Sequence, residues 1–184
     1  KMDFKKVADI VTRINAGHNI HQHLDLIAGL PYEDLEVLTV ISDVYEVHPE
    51  QLQLGFLKIL KGSYMEKQKR EYGLVYKDTP PYEVLYTKWL PYEDVLVLKK
   101  VEEMVEVYYN SSQFFEHLAV VEKEFDTAFA LYDTLASFMR RKVMQGQPQP
   151  IARFEILYEF IQTITAEENL VLYKELLTYD LYLR

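Results

Sequence analysis

The spacing of apolar residues predicts a helix at the start of the chain. Apolar residues recur every three or four positions between residues 3 and 16, as on one face of an α-helix. They are Phe4, Val7, Ile10, Val11 and Ile14. Gly17 follows the last of them closely, and glycine just past a periodic segment is a helix stop signal. The pattern therefore predicts an amphipathic helix over residues 3–16.

Two later segments alternate between polar and apolar residues with a period of two, which is typical of strands. In residues 20–28, one face carries His21, His23, Asp25 and Ile27, and the other carries Gln22, Leu24, Leu26 and Ala28. In residues 51–60, one face carries Gln51, Gln53 and Gly55, and the other carries Leu52, Leu54 and Phe56. Each segment is therefore predicted to be a strand with one polar face.

A helix is predicted between these strands, over residues 32–47, bounded by Gly29-Leu30-Pro31 before it and His48-Pro49 after it. A strand, a helix and a second strand form a βαβ unit, which joins parallel strands. Parallel strands usually have both faces covered by apolar groups. The polar face of each strand instead favours a barrel whose lumen holds a ligand.

The remainder of the chain is predicted to be helical, with the sheet ending near Gly62 and an irregular or extended connector at 72–81. The clearest helix spans residues 92–109 and places Leu98, Val101, Val105 and Tyr108 on one stripe. Further helices are predicted at 111–122, 127–144, 151–164 and 167–183, with a linker at 145–150.

Composition excludes several classes of function. The chain has 184 residues and 49% hydrophobic content, enough for a real core, but no cysteine, so it cannot supply thiolate ligands to a metal or an iron–sulfur cluster. The formal net charge of -9 opposes direct nucleic-acid binding, which depends on lysine and arginine. No apolar run approaches the roughly 18 residues of a membrane span. A cytoplasmic location is expected.

Several motifs carry a family resemblance. Residues 23–34, His-Leu-Asp-Leu-Ile-Ala-Gly-Leu-Pro-Tyr-Glu-Asp, resemble the fifth-strand motif of radical S-adenosylmethionine barrels. Residues 49–63 resemble the sixth strand of one subgroup, and residues 80–85 and 106–111 are similar to its helical extension. That subgroup comprises Fe–S oxidoreductases with an N-terminal cobalamin-binding domain and an uncharacterised helical C-terminal domain.

The resemblance implies an α/β segment at 1–63, the last part of a TIM-like radical SAM barrel, followed by a mostly helical domain at 64–184. The parent protein would use S-adenosylmethionine, a 4Fe–4S cluster held by a three-cysteine loop and, where the cobalamin domain is present, cobalamin. This chain lacks the cysteines, so we expect it to hold no cofactor alone and to be inactive by itself. Its expected partners are the upstream barrel and cobalamin domains.

The resemblance also implies site residues. Ile27, Gly29 and Pro31 match the first motif, and Leu54, Gly55 and Phe56 would lie where the sixth strand passes the adenine. Gly29 is equally well explained as a turn glycine.

Polar side chains add to this set from the strand pattern. Asp25 is predicted to bind the cofactor, and His23, Gln51 and Gln53 to bind substrate. His21, His23 and Asp25 could share a metal ion or simply be exposed to solvent, but a polar network in the lumen is preferred. Gln51 and Gln53 fit an edge strand as well. No catalytic residue and no metal ligand is assigned.

Two functions remain open from the sequence. The first is the C-terminal portion of a radical SAM enzyme, in which two strands line the cofactor cavity and a helical domain caps it or binds substrate. The alternative is a non-enzymatic helical interaction module. In either case, unpaired strand edges lead us to expect that the isolated chain forms homo-oligomers.

Overall fold

A computed structural model describes residues 3–17, 19–35, 40–142 and 149–183 of the chain. The chain divides into two compact units, Lys1–Glu102 and Glu103–Arg184. The first unit is α/β and the second is helical, which confirms the predicted fold class. The domain boundary predicted between residues 63 and 64, on the basis of the family resemblance, stays a prediction.

The first unit contains two small sheets and short helices. Its elements are α1 (Phe4–Asn15), β1 (His23–Ala28), α2 (Val40–Tyr45), β2 (Gln51–Phe56), α3 (Tyr64–Gln68), β3 (Val75–Tyr76), β4 (Val84–Tyr86) and α4 (Tyr92–Met104). The last two residues of α4 belong to the second unit. Strands β1 and β2 pair in parallel, from His23 opposite Gln51 to Ala28 opposite Phe56. The predicted parallel pair and its two-residue period are therefore confirmed.

The helix predicted at residues 32–47 is wrong at its beginning. Residues 30–35 form turns and irregular backbone, α2 covers only Val40–Tyr45, and residues 36–39 lie outside the described residues. At the first residue of the predicted helix the reason is local, because Tyr32 has φ +69°. A left-handed residue cannot continue a right-handed helix, and this conformation costs roughly 1–2 kcal/mol for a residue with a Cβ atom.

The prediction that strands end near Gly62 is also wrong, because β3 and β4 form an antiparallel hairpin. This hairpin joins the chain that follows β2. The Val84 amide donates to the Leu57 carbonyl at 2.8 Å, and the Ile59 amide donates to the Tyr82 carbonyl at 2.9 Å. These bonds extend the strand-like pairing beyond the parallel pair, through segments too short for a periodic signal.

Gly29 is where β1 meets this hairpin. It has φ +90°, and a Cβ atom added there would lie 2.8 Å from Cγ1 of Val84, which is fully buried. Glycine is thus required twice, for its backbone conformation and for the close approach of a side chain. Gly29 is therefore a turn glycine, as one of the two interpretations of the sequence had it, and the side chain that approaches it closely belongs to the protein.

A polar network fixes the amino end of the parallel pair. The Gln22 amide nitrogen Nε2 donates to the Val11 carbonyl at 3.3 Å and to Oδ1 of Asn15. Asn15 in turn donates from Nδ2 to the Val47 carbonyl at 3.0 Å. The Gln22 backbone amide donates to Oε2 of Glu50 at 2.9 Å. The end of α1, the start of β1 and the approach to β2 are therefore held together at one point.

The second unit is helical, as predicted. A π-helical turn, Val105–Tyr109, continues α4, and α5 (Phe115–Val121), α6 (Ala128–Lys142), α7 (Pro150–Ile164) and α8 (Leu170–Tyr182) follow, with 3₁₀ turns at Glu122–Glu124 and Glu167–Asn169. The predicted stripe is confirmed, since Val105 and Tyr108 are buried. Most of the predicted linker at 145–150 lies outside the described residues, and Pro150 opens α7.

A buried carboxylate joins α8 to α5. Asp180 is 4% exposed, and its two carboxylate oxygens accept hydrogen bonds from the Glu116 and His117 backbone amides at 3.2 and 3.0 Å. These amides belong to the first turn of α5, where helical N–H groups have no intrahelical acceptor. Burial raises the pKa of Asp180, and the two amide bonds oppose that shift. A side chain distant in sequence therefore caps α5.

We expect Gly29→Ala to destabilise the chain more than Gly62→Ala. Both glycines have positive φ, but a Cβ at Gly62 would meet no atom within 4 Å. Gly62→Ala should cost about 1–2 kcal/mol for the left-handed backbone. Gly29→Ala should cost about 1–3 kcal/mol more, because its Cβ overlaps Val84. Urea unfolding followed by circular dichroism measures both, and equal losses would contradict the packing role of Gly29.

Acid should destabilise the second unit through His117. This side chain is fully buried against the Tyr173 ring, and burial lowers the pKa of His117 to about 4, opposed in part by the Tyr173 backbone. The unfolded chain binds that proton near pH 6.5. The unfolding free energy should therefore fall by about 3 kcal/mol between pH 6.5 and 4.

A pair of histidine variants isolates this component of the pH dependence. In His117→Phe the fall between pH 6.5 and 4 should be smaller by that amount, whereas replacing exposed His21 with phenylalanine should leave it unchanged. Unfolding midpoints measured from pH 7.5 to 4 provide the comparison. Parallel curves for all three proteins would rule out a titrating role for His117.

Candidate functional site

The polar residues predicted to form a site share one face of the β1–β2 sheet. The register places His23 opposite Gln51, Asp25 opposite Gln53 and Ile27 opposite Gly55. Paired residues of neighbouring strands lie about 4.8 Å apart across the sheet. Six of the predicted site residues are thus brought together as three adjacent pairs.

This polar face is open. His23, Asp25 and Gln53 are exposed, Gln51 and Gly55 are half-buried, and Ile27 is 48% exposed. The opposite face is closed by a core that includes Leu52 and Ile41. Parallel sheets are normally covered on both sides. An open face with an exposed isoleucine is therefore a surface suited to contact another group.

Leu54 and Phe56 lie on the opposite, buried face, where they are 3% and 5% exposed. The Lys99 ammonium lies 4.0 Å from the centroid of the Phe56 ring. Lys99 also pairs with Glu83 at 2.7 Å, and Lys77 lies 3.4 Å from the same oxygen. Of the predicted trio at residues 54–56, only Gly55 shares the face of Asp25.

The Glu83 carboxylate is held in its charged form by these two lysines. Burial alone would raise its pKa, but the hydrogen bond and charge of Lys99, together with Lys77, outweigh burial and lower the pKa of Glu83. The ion pair of Glu83 with Lys99 connects the segment before β4 to α4, whose Lys99 lies against the Phe56 ring. This ion pair supports the buried side of the sheet and leaves the polar face free.

Pro31 lies in the turn after β1, beside Gly29, and neither residue belongs to the polar face. The His21 and His23 rings meet edge to face, with centroids 4.7 Å apart. Within the described ranges, no three His, Cys, Asp or Glu side chains are grouped so that they could hold a metal ion.

An aromatic cluster that the sequence analysis did not single out lies after the carboxyl end of β1. The Tyr32 ring contacts Trp89 with centroids 4.6 Å apart, and Tyr72 lies 6.1 Å from Tyr32 and 5.8 Å from Trp89. Tyr32 is 70% exposed. The available signal was an aromatic residue directly after Gly-Leu-Pro, together with the single tryptophan of the chain.

The edge of this cluster is polar. A hydrogen bond with the Tyr64 hydroxyl, followed by desolvation and the nearby Tyr32 and Glu71, raises the pKa of Tyr72 to about 12. Tyr72 therefore remains a neutral phenol at physiological pH. The Lys88 ammonium lies 5.9 Å from the centroid of the Trp89 ring. Burial raises the pKa of Glu33, which is next to Tyr32 in the chain.

A separate cleft of about 490 Å³ lies near α3 and the β3–β4 hairpin. It is lined by Lys61, Glu66, Lys69, Leu74, Val75, Tyr76, Asp78 and Tyr82. None of the predicted site residues lines it. The cleft and the polar face are therefore distinct surfaces of the first unit.

The protein is an α/β segment followed by a helical region, and the α/β segment carries the open polar face. The chain belongs to the DUF4080 family, described as a protein of unknown function, whose model matches residues 70–184. The match includes the β3–β4 hairpin and the helical unit, and it begins after the polar face. A comparison with curated proteins finds no match. No helix among the described residues is long and apolar enough to cross a membrane.

We expect the polar face to be dispensable for folding. Asp25→Ala and Gln53→Ala should each change the unfolding free energy by less than about 0.5 kcal/mol, because both side chains are exposed. Leu54→Ala, on the buried face of the same strand, should cost about 2–5 kcal/mol. Chemical denaturation of the three variants tests this contrast. A large loss in Asp25→Ala would mean that the face serves the fold.

Proposed function

We propose that this chain is the C-terminal part of a radical S-adenosylmethionine enzyme, in which β1 and β2 line the cofactor cavity. The observation that carries this proposal is the open polar face of a parallel strand pair. The DUF4080 family is known as a C-terminal domain of radical SAM and cobalamin proteins. The strand motif at residues 23–34 and the helical region after it agree with that placement.

The residues of the polar face fit part of S-adenosylmethionine. The Asp25 carboxylate is an acceptor for hydroxyl or amino groups, and Gln53 beside it can donate or accept. Gly55 presents no side chain, and a Cβ there would meet only the Leu26 carbonyl at 3.6 Å. A flat group could therefore approach the sheet at Gly55 and Ile27. Leu54 and Phe56, on the other face, would support β2 from behind.

The chain does not fit an iron–sulfur cluster, because it has no cysteine to supply thiolate ligands. In the proposed parent, a three-cysteine loop elsewhere in the barrel holds the cluster. When bound, S-adenosylmethionine and the cluster supply the radical chemistry. The residues of this chain bind and orient: Asp25 contacts the cofactor, and His23, Gln51 and Gln53 contact polar groups of the substrate.

The remaining parts of the proposal concern partners. The outer edge of β1 faces no other strand within the described parts of the chain, so a preceding barrel strand would pair there in the parent. In the isolated chain, a second copy would occupy the same edge.

The helical unit would cap the cavity or contact substrate, and a parent that carries the N-terminal cobalamin-binding domain would also use cobalamin. We place this parent in the cytoplasm.

The isolated chain should bind S-adenosylmethionine weakly or not at all, since most of the cavity and the cluster are supplied by other segments. A longer protein that includes the three-cysteine loop should bind it. In that protein, Asp25→Ala should weaken binding roughly 10- to 150-fold, the equivalent of ~1.5–3 kcal/mol for a hydrogen bond to a charged group. Isothermal titration calorimetry on the reconstituted protein measures this change.

Asp9→Ala is the matched control, because Asp9 is an exposed carboxylate on α1. Its affinity for S-adenosylmethionine should equal that of the unmodified protein. Gly29→Val should also reduce binding more than Gly73→Val, through distortion of the turn after β1. If the longer protein binds the cofactor with the same affinity after Asp25→Ala, the polar face is not a cofactor site, and the helical interaction module becomes the better account.

A further inference from the structure

The Tyr32–Tyr72–Trp89 cluster is exposed in a way that folding does not require. A core aromatic residue is buried, but Tyr32 is 70% exposed. Three aromatic rings in contact, with one of them exposed, provide a surface on which another planar ring can stack. The rings are inclined to one another by 47° to 67°, so the surface is an angled cradle.

The backbone conformation of Tyr32 also favours a ligand site at the cluster. Its φ of +69° is a conformation that glycine adopts freely and that a bulky residue rarely adopts. Glycine already stands three positions earlier, at residue 29, where the turn requires it. Strained non-glycine residues concentrate at ligand sites. Position 32 therefore carries a bulky ring although its backbone conformation favours glycine, as do the backbones of His48, Tyr82 and Ser112.

The position of the cluster also points to a ligand. Tyr32 lies four residues past Ala28, the last residue of β1. In sheets of parallel strands, ligands bind outside the carboxyl ends of the strands. Ile27 and Gly55, the pair of the polar face nearest that end, are its least polar members. A ligand on the cluster would thus lie at the carboxyl-end side of the proposed cofactor surface.

We propose that Tyr32, Tyr72 and Trp89 form a stacking site for a planar aromatic or heteroaromatic ring of the substrate. The Tyr72 hydroxyl donates to Tyr64, so the Tyr64 hydroxyl and the Lys88 ammonium are the groups at the edge of the rings that can donate to acceptor atoms on the ligand. The assignment to substrate rests on the proposed function. The stacking itself belongs to this chain and is tested on it alone.

The single tryptophan makes the test direct, because the Trp89 indole N–H gives one resonance in a proton–nitrogen correlation spectrum. Caffeine, a neutral planar heteroaromatic compound, is the probe, and cyclohexanol is the saturated control. Caffeine should shift the Trp89 resonance in a saturable way, and cyclohexanol should not. Tyr32→Gly should weaken the caffeine affinity roughly 5- to 150-fold, as expected for the loss of one stacking ring.

Three further variants, Tyr32→Phe, Tyr182→Leu and Tyr72→Leu, test whether caffeine binding depends on the rings of the cluster. Tyr32→Phe should keep the affinity, and Tyr182→Leu, which removes an 82% exposed ring from the second unit, should leave it unchanged. Tyr32→Gly should melt at the same temperature as the unmodified chain or higher, which separates loss of stacking from loss of fold. Tyr72→Leu should also reduce the affinity.

Two results would overturn the inference. One is a Trp89 shift that is absent or is the same in Tyr32→Gly. The other is a Trp89 resonance that moves with protein concentration without any probe and stops moving in Tyr32→Gly, which would make the cluster a contact between copies. Because no measurement here involves S-adenosylmethionine, failure of the stacking site leaves the cofactor proposal standing, and failure of cofactor binding leaves the stacking result standing.

Discussion

The in-register parallel pairing of β1 and β2 determines which side chains of the first unit are buried and which are displayed. Side chains alternate across a strand, so a slip of β2 by one residue would bury Gln53 and expose Leu54. The Gln22 network with Asn15 and Glu50 fixes one end of this register, and the hydrogen bonds between the chain after β2 and the β4 hairpin fix the other. The polar face therefore has a fixed composition: His23, Asp25 and Ile27 beside Gln51, Gln53 and Gly55.

The polar face and the Tyr32–Tyr72–Trp89 cluster of the first unit differ in their chemistry and in the parts of the fold that support them. The polar face is a flat row of hydrogen-bonding groups above a tightly packed core, and its rigidity comes from Leu52 and Leu54 below it. The aromatic cluster lies on turns and loops, and its shape comes from the backbone of Tyr32. A rigid polar surface suits one fixed ligand, whereas rings on loops can accommodate a range of planar groups.

The parts of the fold that follow from periodicity could be predicted, and the parts that follow from single residues or distant pairing could not. Alternation at His23–Ala28 and Gln51–Phe56 was sufficient for both strands and for the polar face, and the helices of the second unit were predicted from their apolar stripes. The predicted helix could not begin at Tyr32, because the backbone of that residue has positive φ. Strands β3 and β4 are too short to show a period, and their pairing is set by contacts made outside them. The motif at residues 54–56 treated neighbours on a strand as one group, although Gly55 faces away from Leu54 and Phe56.

The cap that Asp180 provides to α5 sets an order in which the second unit can form during synthesis. The amides of Glu116 and His117 emerge from the ribosome long before their acceptor, which follows 63 residues after His117. At 5–20 residues per second, translation leaves α5 without that carboxylate for roughly 3 to 13 s. During this interval its first turn can be satisfied only by water, and α8 cannot yet cover it. The nascent helical unit thus spends seconds as an incomplete bundle, which is the period when a chaperone would have most influence on it.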